Sequence, residues 1–218
     1  MAIIQDARST NTTAVIVDPS FKAARITLRP VENEGVYRLT ARSGIIAAAT
    51  AAGIGFSFRY IGTGSCLIKS VKIGINGIAA YTQNAITYTL VPVRGFTTSD
   101  SSGTQLTSGN IQKLRSSMTQ FSVDARIATT TTITAAAATA AVEDAAPIAS
   151  LQFDMAPAIT SQPMREFLTA SSYSKSFTLT NNEGFRIRNQ SAYGALGTCN
   201  LVVAVEWAEF PSTGATFY

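Results

Sequence analysis

The chain of 218 residues contains no histidine, two cysteines and one tryptophan, and only 14% of it is charged. Without imidazole there is no Ser/His/Asp or Cys/His catalytic set, no histidine proton shuttle near neutral pH and no histidine-ligated zinc. Cys66 and Cys199 match no metal-ligand spacing; they read as buried reduced thiols or, if their strands are neighbours, as one long-range disulfide, and the spacing leaves both open. The formal charge of +4 comes from scattered side chains such as Arg25, Arg29, Arg38, Arg42, Lys69 and Lys72. No basic stripe with interleaved aromatics is present, so no specific nucleic-acid partner is expected. The uncharged stretch from Ile73 to Val93 is interrupted by Asn76, Gln83, Asn84 and Pro92 and does not read as a membrane span. Met1-Ala-Ile-Ile-Gln-Asp6 lacks the basic region and apolar core of a secretory signal, so a soluble chain delivered by assembly from the cytoplasm is expected.

Alternation is what the sequence has in abundance. Val71, Ile73 and Ile75 alternate with Ser70, Lys72 and Gly74; Ile86, Tyr88 and Leu90 alternate with Thr87 and Thr89; Phe177 and Leu179 alternate with Ser176, Thr178 and Thr180. This period of two marks half-buried strands. The strongest runs from Cys199 to Trp207, with Cys199, Leu201, Val203, Val205 and Trp207 on one face and Asn200, Val202, Ala204 and Glu206 on the other. A second face that is apolar at Val202 and Ala204 predicts cover on both sides or contact with a subunit. Turn chemistry separates the runs at Asn33-Glu-Gly35, Gly62-Thr-Gly64, Asn76-Gly77, Asn182-Glu-Gly184 and Gly194-Ala-Leu-Gly197, with Asn76-Gly77 as the clearest hairpin signal.

These features predict an all-β chain: an antiparallel β-sandwich, jelly-roll-like, with one short helix and an extended N-terminal arm. The arm covers residues 1–20 and the single sandwich domain residues 21–218. The helix is expected where Ile111, Leu114 and Met118 follow Ser108-Gly109-Asn110, with a further helical turn at Met164–Leu168. The 33 alanines and 28 threonines concentrate in two low-complexity stretches, Ile46–Gly55 and Ala128–Ala146. The second reads either as a helix or as a loop docked on a neighbour.

Few residues offer chemistry. The local carboxylate pairs Glu32/Glu34, Glu143/Asp144 and Glu206/Glu209 lie in turns, loops or strand ends and read as solvent-exposed, not as facing acids across a cleft. Gly62-Thr-Gly64-Ser65 lacks the glycines and lysine of a phosphate loop. No catalytic residue, cofactor or metal ligand is therefore expected. Trp207 reads as a core aromatic closing one end of the sandwich in preference to a carbohydrate-stacking one. Arg186 and Arg188 alternate out of a strand and either contact an acidic neighbour or solubilise an exposed face. With Val202 and Ala204 they make up the candidate interface.

The run Asn182-Glu-Gly-Phe-Arg-Ile-Arg-Asn189, followed by Gly197-Thr-Cys-Asn-Leu-Val-Val-Ala-Val-Glu-Trp-Ala-Glu209, resembles the C-terminal end of tailed-bacteriophage virion structural proteins. Phe56-Ser-Phe-Arg-Tyr60, Leu67-Ile-Lys69, Arg94-Gly-Phe-Thr97 and Asn110–Met118 are similar to earlier segments of the same proteins, so the likeness spans about residues 40–210. The alanine-rich 128–146 region departs from it. The resemblance implies a place in a virion assembled in the host cytoplasm. Low charge, Ala/Thr-rich segments suited to burial and an arm able to reach a neighbour point within it to a capsid decoration or cement protein. Such a protein binds the major capsid protein on the outside of the head, as a homo-oligomer with a trimer favoured. The alternatives are a tail, neck or fibre component, or a virion carbohydrate-binding module.

Overall fold

The alternating segments form strands, and every pairing between them is antiparallel. A computed structural model describes residues 3–4, 13–14, 16–18, 23–25, 35–80, 84–114, 121–138, 140–155, 161–169 and 177–210. The chain divides into two units, Met1–Glu32 and Asn33–Tyr218. In the first, β1 (Ile3–Ile4) pairs with β2 (Thr13–Ala14), and β3 (Ile16–Asp18) with β4 (Ala23–Arg25). Residues 1–20, where an arm is expected, lie in this unit, which continues to Glu32 and takes in β4.

The second unit is a two-sheet sandwich. Its long strands are β5 (Gly35–Arg42), β6 (Gly53–Tyr60), β7 (Ser65–Ala79), β8 (Asn84–Arg94), β13 (Ala149–Met155), β14 (Ser161–Thr169), β16 (Gly184–Asn189) and β17 (Thr198–Phe210). One sheet runs β5-β17-β7-β14 and the other β6-β16-β8-β13. Numbered along the chain, the eight strands lie in the order first, eighth, third, sixth against second, seventh, fourth, fifth, which is the double Greek key of a jelly roll. Short strands extend the edges. β10 (Ile111–Lys113) lies on β5 and β15 (Phe177–Leu179) on β7; β9 (Thr104–Leu106), β11 (Val123–Ile127) and β12 (Val142–Glu143) belong to the second sheet.

The core between the sheets is aromatic. Trp207 stacks on Tyr37 at 5.5 Å and meets Phe58 edge-on at 5.3 Å, and Phe58 stacks on Phe185 at 5.1 Å. The inward face of β17 is as its alternation predicts, with Cys199, Leu201, Val203, Val205 and Trp207 all buried. Burying each large apolar side chain of this kind contributes roughly 1.5–3 kcal/mol. Trp207 donates its indole N–H to Glu209 Oε1 at 2.9 Å and is a core residue.

The Asn182-Glu-Gly184 segment is a turn, and its residues are constrained one by one. Asn182 adopts φ +64°, a left-handed conformation that asparagine tolerates better than most residues. Glu183 accepts from the Thr180 amide at 2.8 Å and from its hydroxyl at 3.0 Å. At Gly184 a Cβ would stand 1.9 Å from the Phe58 carbonyl oxygen, so only glycine lets β16 approach β6.

Three local expectations are corrected. The helix expected from Ile111 is instead β10, whose Ile111 and Lys113 sit opposite Leu39 and Tyr37. The open edge of β5 supplies a ladder there that local spacing does not reveal; Ile111 is buried, Leu114 exposed, and Met118 lies outside the described residues. Met164–Leu168 lies within β14, whose pairing with β7 shifts register between Gln162 and Arg165, around Pro163, which has no amide to donate, and again between Glu166 and Leu168. Asn76-Gly77 is no turn: both residues lie inside β7, where Asn76 faces Asn200 on one side and Ser161 on the other. Cys66, on β7, lies opposite Glu209 at one end of the β7–β17 pair, and Cys199, on β17, lies opposite Gly77 toward the other; neither is in a disulfide.

Candidate interface on the outer faces of the sandwich

Each sheet turns one face inward and one outward, and the outward faces differ. The β6-β16-β8 face presents Ser57, Arg59, Arg186, Arg188, Thr89 and Val93. The chain after β8, and again the alanine-rich segment after β11, folds back across it. Ala128 and Ile133 donate their amides to the carbonyls of Gly55 and Ile54, Thr97 to Ala140, and Asp144 to Pro92, at 2.7–3.0 Å. Ile54, Ala128 and Ile133 form one small buried cluster beneath this cover, and Val93, Phe96 and Ala141 another. Residues 128–146, of which position 139 lies outside the described residues, form no helix: they are a loop with the short strand β12, docked on their own sheet and not on a neighbour.

Arg186 lies at the centre of this covered face. It donates through Nε to Asp100 Oδ2 at 2.8 Å, through Nη2 to Asp100 Oδ1 and through Nη1 to Glu143 Oε1 at 2.7 Å. Arg188 donates to Glu143 Oε2 at 2.5 Å. Ser57 and the Ala136 amide complete the shell around Asp100 at 2.5 and 2.7 Å. The Arg186 and Arg59 guanidinium groups also lie over the Phe96 ring, 5.3 and 6.0 Å from its centre. Burial by itself would push Asp100 up, but the bonds from Arg186, Ser57 and Ala136 outweigh it and hold the carboxyl below its usual range. Burial likewise opposes charge on Arg186, and its bonds to Asp100 and Glu143 hold its pKa up. The cluster is a clasp of charge-assisted hydrogen bonds that fastens the cover to the sheet, with the Asp100 carboxylate and the Arg186 guanidinium each held in its charged form.

The β5-β17-β7 face carries no such cover among the described residues. Arg38, Thr40, Ser70, Lys72, Ala204 and Glu206 line a shallow depression on it, continued by Val202. Its ion pairs are exposed: Arg38 to Glu206 at 3.1 Å and Lys72 to Glu166 at 3.6 Å. Arg42 donates to the Asn200 carboxamide oxygen, and the buried Asn200 amide donates to the Ser43 and Gly44 carbonyls at 2.9 and 2.8 Å.

The four interface residues singled out in the sequence therefore fall on different faces. Val202 and Ala204 are half-buried on the bare face. Arg186 and Arg188 belong to the covered one, and the acids they meet are Asp100 and Glu143 of their own chain. Of the carboxylate pairs, Glu32/Glu34 lies outside the described residues. Glu143 is engaged by the two arginines and Asp144 pairs with Arg94 at 3.3 Å. Glu206 points outward and Glu209 inward, because neighbouring positions of a pleated strand face opposite ways. Glu209 is buried, contrary to the exposure expected of it, and accepts from the Ser122 amide at 3.0 Å. Burial pushes its pKa above the usual glutamate value against the bonds from Trp207 and Ser122. Tyr60 beside it is pushed up to about 12, by burial first and the Glu209 charge second.

No protein-family model matches the sequence, and no curated protein matches it. Among the described residues no group of three metal-ligating side chains occurs, and no helix is long and apolar enough to cross a membrane.

Proposed function

We propose that this chain is a non-enzymatic structural protein of a tailed-bacteriophage virion, acting as a decoration or cement protein that binds the outside of the head and stabilises it. The observation that carries the reading is the contrast between the outer faces of the jelly roll: one is sealed by the chain's own cover, and the other is a shallow face of small and charged side chains, uncovered among the described residues. Jelly rolls serve as capsid and lectin domains alike, so the fold is compatible with a particle component without naming one. A shallow sheet face bearing Thr40, Ser70, Val202 and Ala204 between charged side chains suits broad contact with another protein surface. The burial of Trp207 removes the one tryptophan from the aromatic stacking that a carbohydrate module uses. The partner is the major capsid protein or another virion protein.

Cryo-microscopy of the purified particle tests this. Density for the sandwich on the outer surface of the head, with the β5-β17-β7 face toward the shell, is the expected result. Density only in the tail or neck replaces the cement role with the tail role, and absence of the chain from the particle overturns the virion reading.

A further inference from the structure

Register lays the bare face out in rows across β5, β17 and β7. Arg38 stands beside Glu206 in one; Thr40, Ala204 and Lys72 form the next, with Glu166 of β14 beyond Lys72; Arg42, Val202 and Gly74 form a third. The floor of the patch is low because the side chains along its middle are short. Three cations and two carboxylates stand in these rows, and four of the five pair off: Arg38 with Glu206 at 3.1 Å and Lys72 with Glu166 at 3.6 Å. Arg42 is left over, with no carboxylate paired to it among the described residues.

The unpaired guanidinium is nevertheless held in place. Asn200 is buried, and its amide donates to the Ser43 and Gly44 carbonyls at 2.9 and 2.8 Å, so its carboxamide has only one way round: the oxygen faces Arg42 and accepts from Nη2. A guanidinium carries five N–H donors, and Asn200 occupies one nitrogen, which leaves donors of this exposed side chain for a ligand. A cation fixed by a buried neighbour loses little freedom when an anion binds it, and its planar fork matches a carboxylate with two parallel hydrogen bonds.

We propose that Arg42 is the anchor of the bare face, and that the protein docking there presents an Asp or Glu side chain to it while short apolar side chains settle over Val202 and Ala204. The inference rests on the proposed function and deepens it by naming the chemistry of the surface that the chain binds. The two acids of the face select against other anions. A nucleic-acid backbone or an anionic membrane brings an array of negative charge, which Glu206 and Glu166 repel. A single carboxylate at Arg42 escapes that repulsion, since it stands two rows from Glu206, ~13 Å by strand rise and beyond the screening length of about 8 Å at physiological salt.

The test is co-sedimentation of the purified full-length chain with head particles assembled without it, over a range of salt. Wild type is expected to bind, and to bind less tightly as salt rises. Arg42→Gln and Lys72→Gln change the net charge of the face equally, but only the first is expected to weaken binding, at least about tenfold and with a melting temperature close to that of wild type. Arg42→Lys, which keeps the charge and loses the planar fork, is expected to fall between wild type and Arg42→Gln, and serves as the second variant should Arg42→Gln not fold. Binding by both Arg42 variants equal to that of wild type overturns the anchor and leaves the cement role standing. Equal losses from Arg42→Gln and Lys72→Gln overturn it in favour of diffuse attraction. A wild type that does not bind heads overturns the proposed function and the anchor together, and one that instead floats with phosphatidylglycerol vesicles does so in favour of an anionic lipid surface.

Discussion

On one outer face of the sandwich the Arg186 side chain is 3% exposed and gripped by two carboxylates; on the other, Arg38 is 58% exposed and meets one. Both are arginines on central or near-central strands of antiparallel sheets, pointing away from the same core. Their surroundings separate them. Asp100 and residues 128–146 arrive over Arg186 and exclude water, so that removing any one member leaves a charge stranded in a poor solvent. Nothing described arrives over Arg38, and its pair with Glu206 competes with water and salt. The same bond type is therefore a structural clasp on one face and a replaceable surface contact on the other. A partner docking on the bare face needs to displace only the second kind.

Three measurements bear on that contrast. Asp100→Ala is expected to have the largest effect, about 3–5 kcal/mol of stability in urea denaturation, because Arg186 loses one of its two carboxylates and the Ser57 hydroxyl and Ala136 amide lose an acceptor. A loss below about 1 kcal/mol would place Arg186 in the same class as Arg38 and erase the difference between the faces. The pH dependence comes next, and the two buried acids run in opposite directions. Asp100 has a depressed pKa in the folded state, so its contribution is complete above 3.8 and is lost as the pH falls through the folded value. Glu209 has a raised one, so the stability linked to it is complete below 4.5 and is lost as the pH rises through the folded value. Glu209→Gln should therefore gain stability relative to wild type between pH 4 and pH 7, read from denaturation midpoints; a constant difference would show that Glu209 titrates as an exposed acid does. The smallest effect is expected of Glu206→Ala, under about 1 kcal/mol and shrinking with added salt. A larger, salt-independent loss would mean that the bare face is less open than it looks.

Much of the fold was legible in the sequence because strands advertise themselves by alternation. The inward row Cys199, Leu201, Val203, Val205, Trp207 could be read directly, and so could the Asn182-Glu-Gly184 turn. The misread segments share a cause. Asn76-Gly77 has hairpin chemistry and Ile111-x-x-Leu114 has helical spacing, yet each is absorbed by a neighbouring strand, β17 or β5, brought alongside from a distant part of the chain. The burial of Arg186 was hidden for the same reason, since Asp100 lies 86 residues away and Glu143 43.

The position of the two cysteines has a practical consequence. Cys66 is the second residue of β7 and Cys199 the second of β17, so these antiparallel strands hold the two thiols at opposite ends of the sandwich, each buried inside it. Burial holds the Cys66 thiol well above its ordinary pKa, with the nearby Glu209 charge adding to it, so it is a poor nucleophile until the strand opens. The protein thereby carries a pair of native chemical stopwatches, one near each end. The rate at which an alkylating reagent marks each thiol, resolved by peptide mass, reports which end of the sandwich breathes first.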